Sequence, residues 1–317
     1  MVHVSTTEPP RDPFAPDLPF DPHWPRAGSW LARETDDHAA DGPLDLALLG
    51  VPTWRTSLSS TGAHATPSAV REALLRFSTH GHGLDLDRLV VADLGDVDEP
   101  DGDSGEDRVV ETVAAAVGRA RLVVALGGDN SCTYAVALGA FGAELGTAGL
   151  ITLDAHHDLR DGVSNGSPVR RLLQAGLEGA RIVQVGIADF ANSRAYADRA
   201  RDHGITVITR DALGRRPWED VVGEALDVAG GAGGPVHVDL DVDVCDRSVA
   251  PGCPASLPGG IGAHDLRRAA FLLAADHRVG SMDVTEVDAT ADAPDLRTVR
   301  LAALLVLEAA AGLASRA

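Results

Sequence analysis

Four carboxylates and an imidazole stand at spacings that point to metal chemistry. Asp154, His156 and Asp158 alternate directly after the apolar run 149–153, and Asp241 and Asp243 alternate at the end of another that starts at 236. In an extended chain residues two apart project to the same side, so each set presents its side chains together. Crowded into one crevice, such carboxylates repel severely, and bound divalent ions reverse that cost. Oxygen-rich ligation with little nitrogen and no thiolate favours a hard ion such as Mn²⁺ over structural zinc. Two ions about 3.5–4 Å apart can share bridging carboxylates and activate water between them. A lone Asp-x-Asp in so acidic a chain reads as a solvated turn; two alternating sets, each ending an apolar run, do not. His157 has the opposite parity and reads as a structural hydrogen-bonder. Asp239 is expected behind the ligands.

Two further polar clusters also follow apolar runs: Gly127-Gly128-Asp129-Asn130 after 121–126, and Thr285-Glu286-Val287-Asp288 after 279–284. Eight short aliphatic runs, at 44–49, 89–94, 121–126, 149–153, 181–187, 205–208, 236–241 and 279–284, have the length and branching of strands buried on both faces. Helical patterns fall between them at 67–77, 106–120, 131–145, 191–203, 217–229, 263–275 and 296–314. This alternation predicts a mainly parallel sheet with helical cover, as an open sandwich or a closed barrel. In either form ligands bind at the carboxyl ends of the strands, where all four clusters lie. Residues 96–107 and 230–234 read as surface loops. Residues 1–40, rich in Pro, Asp and Arg, read as an extended N-terminal arm, with 41–317 as a single α/β domain.

Composition removes whole classes. With 27 basic and 47 acidic residues among 317, the formal charge is −20, which argues against a partner held by bulk positive charge, whether nucleic acid or anionic membrane. Every basic residue is arginine. A Walker phosphate loop, a pyridoxal Schiff base and a Schiff-base aldolase all need lysine and are excluded. Cys132, Cys245 and Cys253 form no disulfide scaffold or CxxC pair. The start of the chain has no apolar signal-peptide core and no run is long enough to span a bilayer, so a cytoplasmic protein is expected.

As a set, Gly127-Gly128-Asp129-Asn130, Asp154-Ala155-His156-His157-Asp158, Asp239-Leu240-Asp241-Val242-Asp243 leading to Ala250-Pro251-Gly252, and Glu286 resemble the ureohydrolases: arginase, agmatinase, formimidoylglutamase and relatives. The resemblance runs from about residue 44 to the C-terminus. It implies a three-layer αβα sandwich on an eight-stranded, mainly parallel sheet, two Mn²⁺ per subunit, and a homo-oligomer acting on a small molecule. Asp154 and Asp241 correspond to ligands bridging both ions. Asp158 would complete the first site and manage a proton, and His156 and Asp243 would complete the second. Glu286 corresponds to the acid that pairs with the substrate's amidine or guanidine group.

Two asparagines depart from the pattern. Asn130 stands where a first-site histidine is usual, and its neutral amide oxygen is a weaker ligand. Asn165 stands where arginase and agmatinase usually carry a histidine thought to assist the leaving group, and asparagine cannot shuttle protons. The formimidoylglutamase branch commonly lacks that histidine. The resemblance therefore implies hydrolysis of N-formimidoyl-L-glutamate to L-glutamate and formamide, in histidine degradation. Arg55, Arg170 and Arg171 are candidate readers of the substrate's carboxylates. Competing readings are an agmatinase-like hydrolase releasing urea, a metal-poor homologue with a binding or regulatory role, and a serine hydrolase using Gly162-Val163-Ser164-Asn165-Gly166. The last lacks the strand that must precede a nucleophile elbow.

Overall fold

The computed structural model describes residues 18–31 and 42–316. In chain order the first elements are α1 (Ala27–Leu31), β1 (Leu44–Val51), α2 (Thr66–Leu74), a small hairpin of β2 (His80–Gly81) and β3 (Leu84–Asp85), and β4 (Val91–Asp96). Next come α3 (Gly105–Val117), β5 (Ala120–Gly127), α4 (Cys132–Phe141), β6 (Gly149–Leu153), α5 (Pro168–Ala175) and β7 (Ile182–Ile187). They are followed by α6 (Arg194–Asp202), β8 (Thr206–Thr209), α7 (Arg210–Leu213) and α8 (Trp218–Ala229). The chain closes with β9 (Val236–Asp241), α9 (Ala263–Ala275), β10 (Val279–Thr285) and α10 (Arg297–Ala314).

Eight strands form one sheet in the order β4-β1-β5-β10-β9-β6-β7-β8, and every pairing is parallel. The sheet ends on β4 and β8, so it is an open sandwich and not a barrel. Alternating strand residues serve the two faces. Leu46, Leu48, Leu122, Val124, Ile151 and Val238 pack under α2, α8, α9 and α10. Leu150 and Ile182 face α4, α5 and α6, while Leu49, Val51 and Ala125 face α3 and α4. Helix α4 is buried along most of its length and α10 along nearly all of it, which explains their nearly uninterrupted apolar sequences.

The order of assembly places the site. The chain lays β1, β4 and β5 side by side, then skips two positions to β6 and moves outward through β7 and β8. Only later do β9 and β10 fill the gap. The four polar clusters therefore follow four adjacent central strands, β5, β10, β9 and β6. Ligand crevices of open parallel sheets form where strand order reverses in this way.

Several boundaries differ from the sequence expectation. The helix expected over 131–145 stops at Phe141, because Gly142 takes φ +50° and breaks the α-helical path. The one expected over 106–120 stops at Val117, and Ala120 already belongs to β5. Helix α5 is unexpected, although Pro168 in its first turn and Gly176 at φ +116° are its start and stop signals. Within the segment expected to be extended, Ala27–Leu31 is helical and buried Ala27 donates its N–H to Phe77 O at 2.8 Å. Most of the rest of the expected arm, 1–17 and 32–40, lies outside the described residues. Among the described residues, no helix is long and apolar enough to cross a membrane.

Candidate active site

The turn after β5 is possible only with glycine. A Cβ on Gly128 would lie 2.0 Å from Thr53 O, because the turn passes directly beneath that backbone. Backbone bonds fix the crossing: Asp129 N donates to Thr53 O at 2.9 Å and Glu286 N to Gly128 O at 2.9 Å. Asn130 is thereby delivered, fully buried, between β5 and β10. Its Nδ2 donates to Asp158 Oδ2 at 2.6 Å. Its Oδ1 accepts from Thr133 Oγ1 at 2.6 Å and lies 3.2 Å from Thr285 Oγ1. The amide oxygen, the atom able to bind a cation, is thus occupied by hydroxyls.

The turns after β6 and β9 bring the other ligand candidates together. Asp154, His156 and Asp243 each offer a donor atom within 4.8 Å of the other two. His156 Nδ1 lies 2.6 Å from Asp243 Oδ2 and 3.6 Å from Asp154 Oδ1. Asp243 also accepts Ala155 N at 2.9 Å, and Asp241 accepts Asp243 N at 2.8 Å. Burial, then the Asp243 charge, pushes Asp154 up to about 7. Burial and the neighbouring acids hold Asp158 and Asp241 well above the carboxylate range. Burial alone would depress His156, but its bonds to Asp154 and Asp243 override that and raise it to about 11. Burial likewise opposes ionisation of Asp243, and His156 overcomes it, so Asp243 stays below its usual value. Without a metal, protons and one imidazolium neutralise this cluster.

The residues present fit divalent cations. Asp154 Oδ2 is buried with no hydrogen-bond partner among the described residues, although burying a charged oxygen unpaired is costly. Asp158, Asp241, Asp243 and His156 line one cavity of about 650 Å³ together with Glu286 and Asn165. Asp158 and Glu286 hold left-handed φ values of +52° and +59°, conformations that cost non-glycine residues free energy and cluster at functional sites.

Glu286 is buried and held by one oxygen. Its Oε1 accepts Asn130 N at 2.9 Å and Asn165 Nδ2 at 2.7 Å, and burial followed by the Asp129 charge raises it to about 7. Asn165 Oδ1 in turn accepts Leu58 N at 3.0 Å, tying in the loop after β1. Behind the ligands, Asp239 sits opposite Asp283 across β9 and β10, and both are fully buried. His237 Nε2 lies 3.2 Å from Asp283 Oδ2, and Asp239 Oδ1 is 3.3 Å from Thr285 Oγ1. Asp239 therefore backs the ligand layer through Thr285 and Asn130. His157 Nδ1 meets Gln184 Oε1 at 2.7 Å, away from the cluster.

The arginines fall differently from expectation. Arg170 spends its guanidinium on Arg160 O, Gly162 O and Gln174, and Arg171 pairs with Glu106 at 2.6 Å over the Tyr134 ring. Arg55 is exposed and pairs with Glu99 at 3.5 Å. None of the three lines the cavity, whereas Arg160, which sequence reasoning passes over, does. Thr133 and Thr285 were also invisible as supports of Asn130, since neither has a spacing signal. Ser164 lies in a loop, with its Oγ accepting Gly166 N, and not at a strand-to-helix elbow. The three cysteines are buried and unpaired.

Fold and site together define an α/β sandwich with a candidate metal centre at the carboxyl ends of its central parallel strands. The family described as the arginase family matches residues 44–312, and the chain belongs to it. A formimidoylglutamase of Halalkalibacterium halodurans is 36% identical over 301 residues, covering 91% of this chain and 92% of that one. The crystal structure of formimidoylglutamase from Bacillus subtilis superposes with a TM-score of 0.86 at 32% identity, covering 94% of each chain. A Trypanosoma cruzi formiminoglutamase structure with manganese, at 24% identity and TM-score 0.83, covers 93% of this chain and 100% of that one and shares the fold.

Proposed function

We propose that this protein hydrolyses the amidine C–N bond of N-formimidoyl-L-glutamate, taking up one water and releasing L-glutamate and formamide. The observation that carries the reading is Glu286 in the same cavity as His156 and Asp243 of the Asp154–His156–Asp243 cluster, with one oxygen held by two asparagines. Similarity to formimidoylglutamases along nearly the whole chain supports the same substrate.

Manganese, two ions per subunit, would be held by Asp154, Asp158, His156, Asp241 and Asp243; when bound it supplies Lewis acidity and a water of lowered pKa. The first site is the weaker, because Asn130 turns its NH₂ toward Asp158 and its oxygen toward Thr133. Glu286 keeps Oε2 free for the substrate. Ionised, it pairs with the amidinium and orients the electrophilic carbon toward Asp158 and Asp241. Asp158 is placed to take a proton from water and pass it to the departing amine. Asn165 positions Glu286 and carries no proton, which suits an amidine better than a guanidine with its poorer leaving group. The same reading has the enzyme act in the cytoplasm as a homo-oligomer.

Purified protein supplemented with Mn²⁺ tests this by parallel assay of formamide, ammonia and urea from formimidoylglutamate, agmatine and arginine. The expected result is formamide and glutamate in equal amounts, abolished by Asp241→Asn. Urea from agmatine without turnover of formimidoylglutamate would overturn the substrate, and an unaffected Asp241→Asn variant would overturn the metal-dependent chemistry.

A further inference from the structure

A glutamate derivative carries two carboxylates into a cavity whose own acids, Asp158, Asp241, Asp243 and Glu286, are committed to cations. We propose that Arg160 is the specificity residue that reads a carboxylate of the substrate, an inference that rests on the function proposed above. Among the described residues, Arg160 is the arginine that lines this cavity, and its guanidinium has no acid or carbonyl partner. Neighbouring arginines are already spent: Arg170 on backbone carbonyls, Arg171 on Glu106, and Arg199 on Leu159 O and Asp161.

The loop is built to present this side chain. Leu159, fully buried in the core beneath α4 and α5, anchors the chain between Asp158 and Arg160. The backbone then folds back, with Arg160 N donating to Gly166 O at 3.0 Å and Arg160 O accepting Arg170 Nε at 2.5 Å. Gly166 packs directly against this side chain. A Cβ there would lie 2.7 Å from Arg160 Cδ and 3.1 Å from Nε, so the arginine stem lies across the glycine. Asn165, one residue earlier, holds Glu286. One loop thus places the group that orients the amidinium and the group that meets the carboxylate, which couples the two ends of a substrate of defined length. The planar guanidinium fork matches a carboxylate through two parallel hydrogen bonds.

The experiment uses the Mn²⁺-loaded enzyme and its Arg160→Ala and Arg160→Lys variants. It compares KM and kcat for formimidoylglutamate and for N-butylformamidine, which has no carboxylate, with calorimetric binding of L-glutamate as a readout independent of turnover. The guanidinium–carboxylate pair forms in both the ground and the transition state. Its removal in Arg160→Ala should therefore raise KM for formimidoylglutamate roughly ten- to a hundredfold and weaken glutamate binding similarly, with kcat little changed. Arg160→Lys should recover only part of this, and kcat/KM for the butyl amidine should not move. An unchanged KM and unchanged glutamate affinity in Arg160→Ala would overturn the assignment, as would equal losses for both substrates. If the wild type fails to hydrolyse formimidoylglutamate yet binds glutamate in an Arg160-dependent way, the proposed reaction falls and the carboxylate site stands.

Discussion

Glu286 offers a direct test of the electrostatics, because its burden can be removed without removing its hydrogen bonds. Its carboxyl is raised from 4.5 to about 7, by burial first and the Asp129 charge second. A carboxylate with a raised folded-state pKa binds its proton more tightly folded than unfolded. It therefore costs nothing below about pH 4.5, and destabilises progressively as pH rises toward 7. At about 1.4 kcal/mol per pH unit, the full cost in metal-free protein is about 3 kcal/mol above pH 7. For a chain of this length the unfolding entropy is about 0.7 kcal/mol/K, so the cost corresponds to about 5 °C in Tm. Asp154, raised to about 7, acts with the same sign over the same range, and His156, raised to about 11, contributes stability that is lost as pH climbs above 6.5.

Chelator-stripped wild type should therefore lose Tm between pH 5 and pH 8. Glu286→Gln, which keeps an oxygen for the Asn130 and Asn165 donors, should lose about 4 °C less over that span, since part of the full cost is already present at pH 5. Added Mn²⁺ should raise Tm more at pH 8 than at pH 5, since protons compete for the same oxygens. Thermal scans of the two proteins at matched ionic strength decide the matter. Parallel pH profiles for wild type and variant, or a metal-free Tm that rises from pH 5 to pH 8, would refute the reasoning.

Asn130→His should tighten the metal site proposed as the weaker by about tenfold or more, roughly 1.4 kcal/mol, because an imidazole nitrogen replaces an amide whose oxygen is tied to Thr133; elemental analysis at limiting Mn²⁺ would register a higher metal-to-protein ratio, and an unchanged ratio would show that Asn130 does not limit the site. Asp239→Asn should leave the metal-free fold as stable as wild type or more so at pH 8, because burial and Asp283 already keep Asp239 protonated far above the usual range and an amide can donate to Asp283 without a proton. A Tm loss of more than about 3 °C, about 2 kcal/mol, would mean that the carboxyl itself is required there.

What can be read from the sequence divides along a physical line. A strand's pleat dictates where side chains point, so 236–241 reads correctly as a buried strand and Asp241 as its last inward residue. The apolar period of 263–275 finds a helix with those same limits, because Gly262 precedes it and its N–H bonds to the Asp265 side chain. Parity weakens as soon as the chain leaves the sheet. Asp158 is two residues from His156, but its φ of +52° means that an extended path no longer orients it. The loop beyond is shaped by bonds to residues distant in sequence, among them Leu58, which lies 107 positions from Asn165, and Glu286, which lies 121 away. No local period carries such information. Arg170 and Arg171 therefore look like a paired recognition element but turn to backbone carbonyls and Glu106, while Arg160, exposed like its neighbour Asp161, looks like ordinary surface charge and yet lines the cavity. Asp154, Asp241 and Asp243, at strand ends, sit on geometry that a few consecutive residues determine; Asp158, Asn165 and Arg160, in the loop beyond β6, sit on geometry that the whole fold determines. Chemistry shared by a family is consequently the legible part of such a site, and the choice among amidine substrates is encoded where local sequence has least to say.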